Sequence, residues 1–314
     1  MKHFFVFCIF VLWSYSGFSQ KNNPEIESII EQINIASYRV HFDSLKTGPR
    51  NNRKVIMGNQ QTNDHNNCRD YIFRCFKKFL GPNNAYLHNF EMNDYGGLCN
   101  VIGIKKGKNK YAGIWIVSAH YDSNNINDPN ISSQTPSPGA NDNGTGLAAI
   151  LEIARIVSNI ETNATIIFAA WDLEEIFIDG FAAGSNSWYE QFVTNKSATQ
   201  WERLSSKGKI AKTDIKGNIN FDMFGNPQLL IDSKPVLWNC YANKVHNDFC
   251  DDISTTMNNY TPEIIAVSHG PMSYSDHKTF AARHIPAVLL LESNYINDAF
   301  YHTASDNTQN PENI

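Results

Sequence analysis

The sequence predicts an α/β fold: a single-domain three-layer sandwich with a mostly parallel central sheet flanked by helices. Three observations predict it. Short apolar runs alternate along the chain with stretches of helical periodicity; continuous apolar runs are the mark of strands buried on both faces of a parallel sheet. Acids and histidines repeatedly follow those runs, and open α/β sheets gather their sites at the carboxyl ends of strands. With 314 residues, 42% hydrophobic and 18% charged, the chain can bury one sizeable core and is not disordered throughout.

The first element stands apart. Lys2 and His3 precede an unbroken apolar run from Phe4 to Trp13, and small residues occur at Gly17 and Ser19. The run is shorter than the roughly 20 residues a membrane helix needs. The pattern is that of a secretory signal peptide over residues 1–19, cut before Gln20. The expectation is a secreted or periplasmic protein with a single domain over 20–314. No other run is long enough to span a membrane, so no membrane partner is expected after signal removal. Lys+Arg number 26 against 31 Asp+Glu, a net charge of −5. That balance offers no basic surface for nucleic acid.

The remaining elements follow in order. Glu25 to Val40 reads as one helix, with Ile26, Ile29, Ile30 and Ile33 on one face. Cys68, Ile72, Cys75, Phe76 and Phe79 form a second helical stripe, stopped by Gly81-Pro82. Asn100 to Ile104 is a strand. Ile114 to Ser118 is a buried strand running into Ala119-His120-Tyr121-Asp122. Pro129 to Gly139 is a loop. Leu147, Ile150, Leu151, Ala154 and Val157 repeat at helical spacing. Thr165 to Ala170 is a strand leading into Trp171-Asp172-Leu173-Glu174-Glu175. Ile219 to Phe221 leads into Asp222, Trp238 to Phe249 is expected to be helical, and Ile285 to Leu291 is the last strand.

Of six cysteines, Cys68 and Cys75 lie seven positions apart, about 10.5 Å along a helix axis, too far to bridge. Cys240 and Cys250 meet the same objection. Small buried hydrophobes is the reading for most of them.

The chemistry lies in six side chains at strand ends. His120, Asp142, Glu175, Asp222 and His302 combine carboxylates and imidazoles, a donor set suited to zinc and similar divalent ions. Two acids at Glu174-Glu175 after a buried strand call for a counter-cation. Asp142 can bridge two ions through its two oxygens. His120 and Asp222 would complete one site, Glu175 and His302 the other. Glu174, beside a ligand without being one, would take a proton from water. Asp122, two residues past His120, can accept the other ring N–H and fix its tautomer.

These residues sit in motifs: His120-Tyr121-Asp122-Ser123, Gly139-Ala140-Asn141-Asp142-Asn143-Gly144, Glu174-Glu175, Asn220-Phe221-Asp222-Met223-Phe224-Gly225, Ser275-Asp276-His277 and Tyr301-His302-Thr303. Together they resemble metallopeptidase family 28, which includes bacterial leucyl aminopeptidases, aminopeptidase Y and glutamate carboxypeptidases. The resemblance runs from about Ile26 onward. It implies an aminopeptidase-like fold with two zinc ions and a peptide substrate. It makes His120, Asp142, Glu175, Asp222 and His302 the ligands and Glu174 the general base, and it implies a cis bond between Asp142 and Asn143. In one departure, the Gly-Ser stretch that members carry soon after the Glu pair comes late here, at Gly184-Ser185. In another, relatives usually add a closing helix after the last motif.

The nearest rival is glutaminyl cyclase, which shares many of these positions but binds one zinc and cyclises N-terminal glutamine. Asn143-Gly144-Thr145-Gly146 after Asp142 is closer to the peptidases. A non-catalytic binding protein would have lost a ligand or the base, and all six positions are filled. Asp276 is a candidate to support the site or touch substrate. His269 could line it but reads better as a loop histidine. Trp188, Tyr189 and Tyr274 are candidates for an apolar subsite. No Lys or Arg falls inside the ligand motifs, which leans toward aminopeptidase over carboxypeptidase action.

Overall fold

The computed structural model describes residues 23–307, apart from 59, 130–134, 196–209 and 243–246. The expected signal segment lies outside the described residues. Seven α-helices are described: α1 (Pro24–Ile30), α2 (Ile35–Lys46), α3 (Asn63–Leu80), α4 (Gly146–Val157), α5 (Ala183–Tyr189), α6 (Asn247–Tyr260) and α7 (His277–Ala281). The main sheet uses β1 (Ala85–Met92), β2 (Tyr95–Lys105), β3 (Ile114–His120), β4 (Thr165–Trp171), β7 (Ile215–Phe221), β8 (Leu230–Ile231), β9 (Lys234–Cys240), β10 (Ile265–His269) and β11 (Ala287–Glu292). β5 (Phe177–Ile178) and β6 (Phe181–Ala182) pair separately.

The strand order is β1-β2-β4-β3-β7-β11-β9-β10, with β8 on β9. β4, β3, β7 and β11 are parallel neighbours at the centre, and antiparallel pairs flank them. The continuous apolar runs are explained by burial on both faces. In β3, Trp115, Val117 and Ala119 join one core with α1–α4 and α6, while Ile114 and Ile116 join the other with α5 and α7. The result is the expected three-layer α/β sandwich.

α4 lies at the centre of the first core, with almost every residue buried. Its one acid, Glu152, is satisfied by Arg155 at 2.6 and 2.8 Å and by the Asn34 N–H at 3.0 Å. Burial of such a group without these partners would be strongly unfavourable.

Two expectations need correcting. The helix expected over Glu25 to Val40 is two helices. Asn34 starts α2 by accepting the Ser37 N–H, and a cap of that kind competes with helix continuation. The helix expected over Trp238 to Phe249 is a strand, β9, followed by α6 from Asn247. Short apolar runs fit either period, and here pairing of Trp238 with Leu291 and Val267 decides it. Cys240, on β9, and Cys250, on α6, are therefore not on one helix. All five described cysteines are nonetheless free and buried. β1, which carries no clear apolar run of its own, forms an antiparallel hairpin with β2.

Candidate metal centre

The four parallel central strands end at one edge of the sheet, and the site is built there. His120 is the last residue of β3, Glu174 and Glu175 follow β4, and Asp222 follows β7. Asp142 comes from the turn before α4, and His302 from the segment after β11. The Asp142–Asn143 peptide is cis.

Asp142 divides its two oxygens between two clusters. Its Oδ1 lies 3.2 Å from His120 Nε2, which is also 3.2 Å from Asp222 Oδ1. Its Oδ2 lies 3.0 Å from His302 Nε2, which is 2.9 Å from Glu175 Oε2. In each cluster, three donor atoms lie within 4.8 Å of one another. One imidazole N–H cannot serve two carboxylates well, but a cation among three donors can. The Oε1 atoms of Glu174 and Glu175 are buried without a hydrogen-bond partner, which buried polar atoms rarely tolerate. The residues fit a divalent cation at each cluster.

The charges are tightly interdependent. Burial and the nearby Asp142 push Glu175 up to about 7. Burial also raises Glu174 well above the ordinary range, with His120 opposing and Asp222, Asp276 and Glu175 reinforcing. Burial alone would lower His302, but Glu175 and Asp142 overcome it and lift the ring to about 10. Burial would raise Asp142, but hydrogen bonds from His120 and His302 outweigh it and hold the carboxyl below the usual range.

A cavity of about 310 Å³ opens on these groups. Asp142, Glu174, Glu175, Asp222 and His302 line one side. Phe177, Met223, Met272, Tyr274, Leu289, Leu291, Tyr295 and Tyr301 line the rest, with no Lys or Arg among the described lining residues.

A family model described as peptidase family M28 matches residues 100–313. The chain belongs to peptidase family M28. Among curated relatives, aminopeptidase YwaD of Bacillus subtilis is 36% identical over 127 residues, covering 40% of this chain and 22% of YwaD. A probable zinc metalloprotease of Pyrenophora teres f. teres is 30% identical over 151 residues, 48% of this chain and 26% of that protein. The matches thus span about a quarter of these relatives' length. Solved structures share the fold. LapA aminopeptidase of Legionella pneumophila superposes with a TM-score of 0.69 at 18% identity, over 96% of this chain and 74% of LapA. Bacteroides thetaiotaomicron glutaminyl cyclase gives 0.65 at 19% identity, over 90% of this chain and 94% of that one.

The M28 site is held by a buried frame. Asp122 accepts the backbone N–H groups of Glu174 and Glu175, both at 3.1 Å, and its Oδ1 lies 3.4 Å from His120 Nδ1. One carboxylate thus ties the end of β3 to the acid pair after β4. Asp306, whose role the sequence did not disclose, accepts the N–H groups of Asn141 and Asp142 at 2.8 and 3.0 Å. Asn141 Nδ2 donates to Glu292 Oε1 at 2.9 Å. Asp276 is fully buried at the start of α7, its carboxylate makes no well-formed hydrogen bond, and burial raises it to about 8 against the pull of His120.

Arg53 was also missed. It is fully buried, and its guanidinium donates to the carbonyls of Tyr121 (2.7 Å), Leu45 (2.9 Å), Pro138 (2.5 Å) and Gly139 (2.7 Å). It ties α2 to the residue after His120 and to the approach to Asp142. Arg53→Met is expected to lower unfolding free energy by about 2–4 kcal/mol, because it strands buried carbonyls. Urea denaturation measures this; a loss below about 0.5 kcal/mol contradicts the role.

Other expected residues fall elsewhere. Trp188 and Tyr189 are not a subsite: they pack in the core with Trp171 and Phe280. Tyr274 does line the cavity and is 74% exposed. His269 stacks on Trp238 with ring centroids 4.0 Å apart and does not line the cavity.

Proposed function

We propose that the protein is a two-zinc aminopeptidase that removes N-terminal residues with large apolar side chains from peptides. The observation that carries this reading is the division of Asp142 between two three-donor clusters. His120 and Asp222 would hold one ion, Glu175 and His302 the other, with Asp142 shared. Bound zinc would supply Lewis-acid polarisation of the scissile carbonyl and a water acidic enough to be deprotonated near neutral pH.

The chain's own residues account for the rest. Glu174 lines the cavity with a free Oε1, so it can take the water's proton and return it to the leaving amine. The carboxylates around it suit a substrate ammonium group. The absence of Lys or Arg from the described lining argues against a site for a C-terminal carboxylate. Met223, Leu289, Leu291 and Met272 form a wall that favours an apolar first side chain. One methylene more or less in such a pocket is worth about 1–3 kcal/mol.

Leucyl, methionyl and phenylalanyl substrates should therefore exceed lysyl and aspartyl ones in kcat/KM by about tenfold or more, and N-acetylated peptides should be inert. Cleavage of N-acetylated peptides, or a preference for charged first residues, would overturn this reading.

Glutaminyl cyclisation is a second reading, favoured by one observation. Asp276 is buried without a good partner and among the charges acting on Glu174, and two neighbouring carboxyls can pass a proton from amine to departing ammonia. Ammonia release from glutaminyl peptides with one zinc per chain would select it. Free amino acid with two zinc ions selects the aminopeptidase.

A further inference from the structure

The late Gly184-Ser185 leaves extra chain after the acid pair, and that chain folds as the β5–β6 hairpin. Asp179 and Gly180, both at positive φ, make its turn, the backbone that a two-residue hairpin loop needs. Ile176 and Ile178 anchor the segment against the cluster of Val55, Phe90 and Leu98. Phe177 is left 37% exposed and lines the cavity. The hairpin is therefore part of the cavity wall.

An ammonium stands behind this wall. Lys278, half-buried on α7, places Nζ 5.9 Å from the Phe177 ring centroid and 5.5 Å from that of Phe181. The neighbouring cation, Arg283, also lies over Phe181, at 5.1 Å, but its guanidinium is bonded to Glu190 at 2.5 Å and Asn186 at 2.6 Å. The Lys278 ammonium has no ion-pair or hydrogen-bond partner among the described residues. Two ring faces attract an ammonium but leave its charge unneutralised and its N–H groups free to donate.

We propose that Lys278 is a specificity-determining residue that binds the C-terminal carboxylate of short peptides, making di- and tripeptides the preferred substrate class. The proposal rests on the aminopeptidase reading above. A short peptide carries two charges, an ammonium that the cavity's acids suit and a carboxylate one or two residues beyond the cleaved bond. In an extended chain those residues span about 3.5 or 7 Å. That span is of the same order as the 5.9 Å separating the Phe177 ring from Nζ. A carboxypeptidase would need its cation inside the cavity, next to the cleaved bond. Lys278 lies outside the lining and meets only the far end of the substrate. A longer chain carries its carboxylate past Lys278 and loses the contact. A lysine that merely stapled the hairpin to α7 would affect all substrates alike.

The test measures leucine release by the zinc-loaded enzyme from Leu-Ala, Leu-Ala-Ala and leucine followed by six alanines, each as free acid and as C-terminal amide. For at least one of the two short peptides, kcat/KM should be about tenfold higher for the acid than for the amide, through KM, the size of a charge-assisted contact. For the long peptide the ratio should be close to one. Lys278→Met should bring the short-peptide ratio to about twofold or less, and Lys278→Arg, which keeps the charge, should retain most of it. If Lys278→Met does not fold, Lys278→Gln is read in the same way. A ratio near one for both short peptides in the unsubstituted chain overturns the proposal. So does a ratio that survives loss of the lysine charge, including equal losses on acid and amide. Release of leucine from the amides in either case leaves the aminopeptidase reading standing. Release from none of the peptides overturns that reading, and this proposal with it.

Discussion

Glu174→Gln is expected to lower kcat by about a thousandfold or more while leaving the bound metal unchanged. The substitution keeps the shape and removes the base. Glu174 sits 4% exposed at the cavity with Oε1 unpartnered, so the amide can occupy the same place. Its backbone remains fixed because the N–H bond to Asp122 does not depend on the side chain. None of the closest donor contacts in either cluster uses it. General base catalysis contributes about 10²–10⁴-fold, and here the same group must also return the proton, so the upper part of that range applies. Steady-state kinetics with metal analysis on the same sample measures both quantities. A kcat within tenfold of the parent removes Glu174 from its role. Loss of metal in the variant would make it a ligand instead.

That expectation could be framed from sequence because the strand ends carry their own signal. His120, Glu174-Glu175 and Asp222 each directly follow an apolar run, and parallel neighbours must deliver their carboxyl ends to one edge. Asp142 was legible through the Gly-rich turn before a helix. The supporting frame was not. Arg53 looks like any loop arginine, because nothing local says that four carbonyls from three separate segments converge on it. Asp306 contacts Asn141 and Asp142 across more than 160 positions. β9 misled for a related reason: Val236 to Trp238 is too short to carry a period, and its state is set by β10 and β11. Local pattern reads what one element does alone, and it misses what several elements do to one residue.

Chelation is the second large effect, and its pH dependence has a sign that can be derived. Without cations the folded chain confines acids that hold protons more tightly than they would unfolded. Burial is the main cause in each case: it raises Asp276 to about 8, Glu292 to about 8, Asp306 to about 7 and Glu175 to about 7. His302, lifted to about 10, stays charged while its unfolded counterpart is neutral. Between pH 7 and pH 8.5 the folded metal-free chain therefore binds more protons than the unfolded one, and its stability falls as pH rises. Buried His41, His65, His88 and His277, lowered to about 4 by desolvation, act in the opposite sense. Their unfolded counterparts are half protonated at about pH 6.5 and lose the rest over the next unit, so this opposition fades between pH 7 and 7.5 and is small over the rest of the window. Asp142, held low, contributes stability that is lost only in strong acid. Zinc reverses the trend, because its ligands must be deprotonated and its binding tightens as pH rises. The melting temperature of the zinc-loaded chain should exceed that of the chelated chain by about 10 °C at pH 8, assuming zinc near a thousand times its dissociation constant. The gap should narrow toward pH 7. Calorimetric scans at pH 7, 7.75 and 8.5, with and without chelator, measure it. A gap that is constant or shrinks with rising pH would mean that these carboxylates are not the groups the metal neutralises.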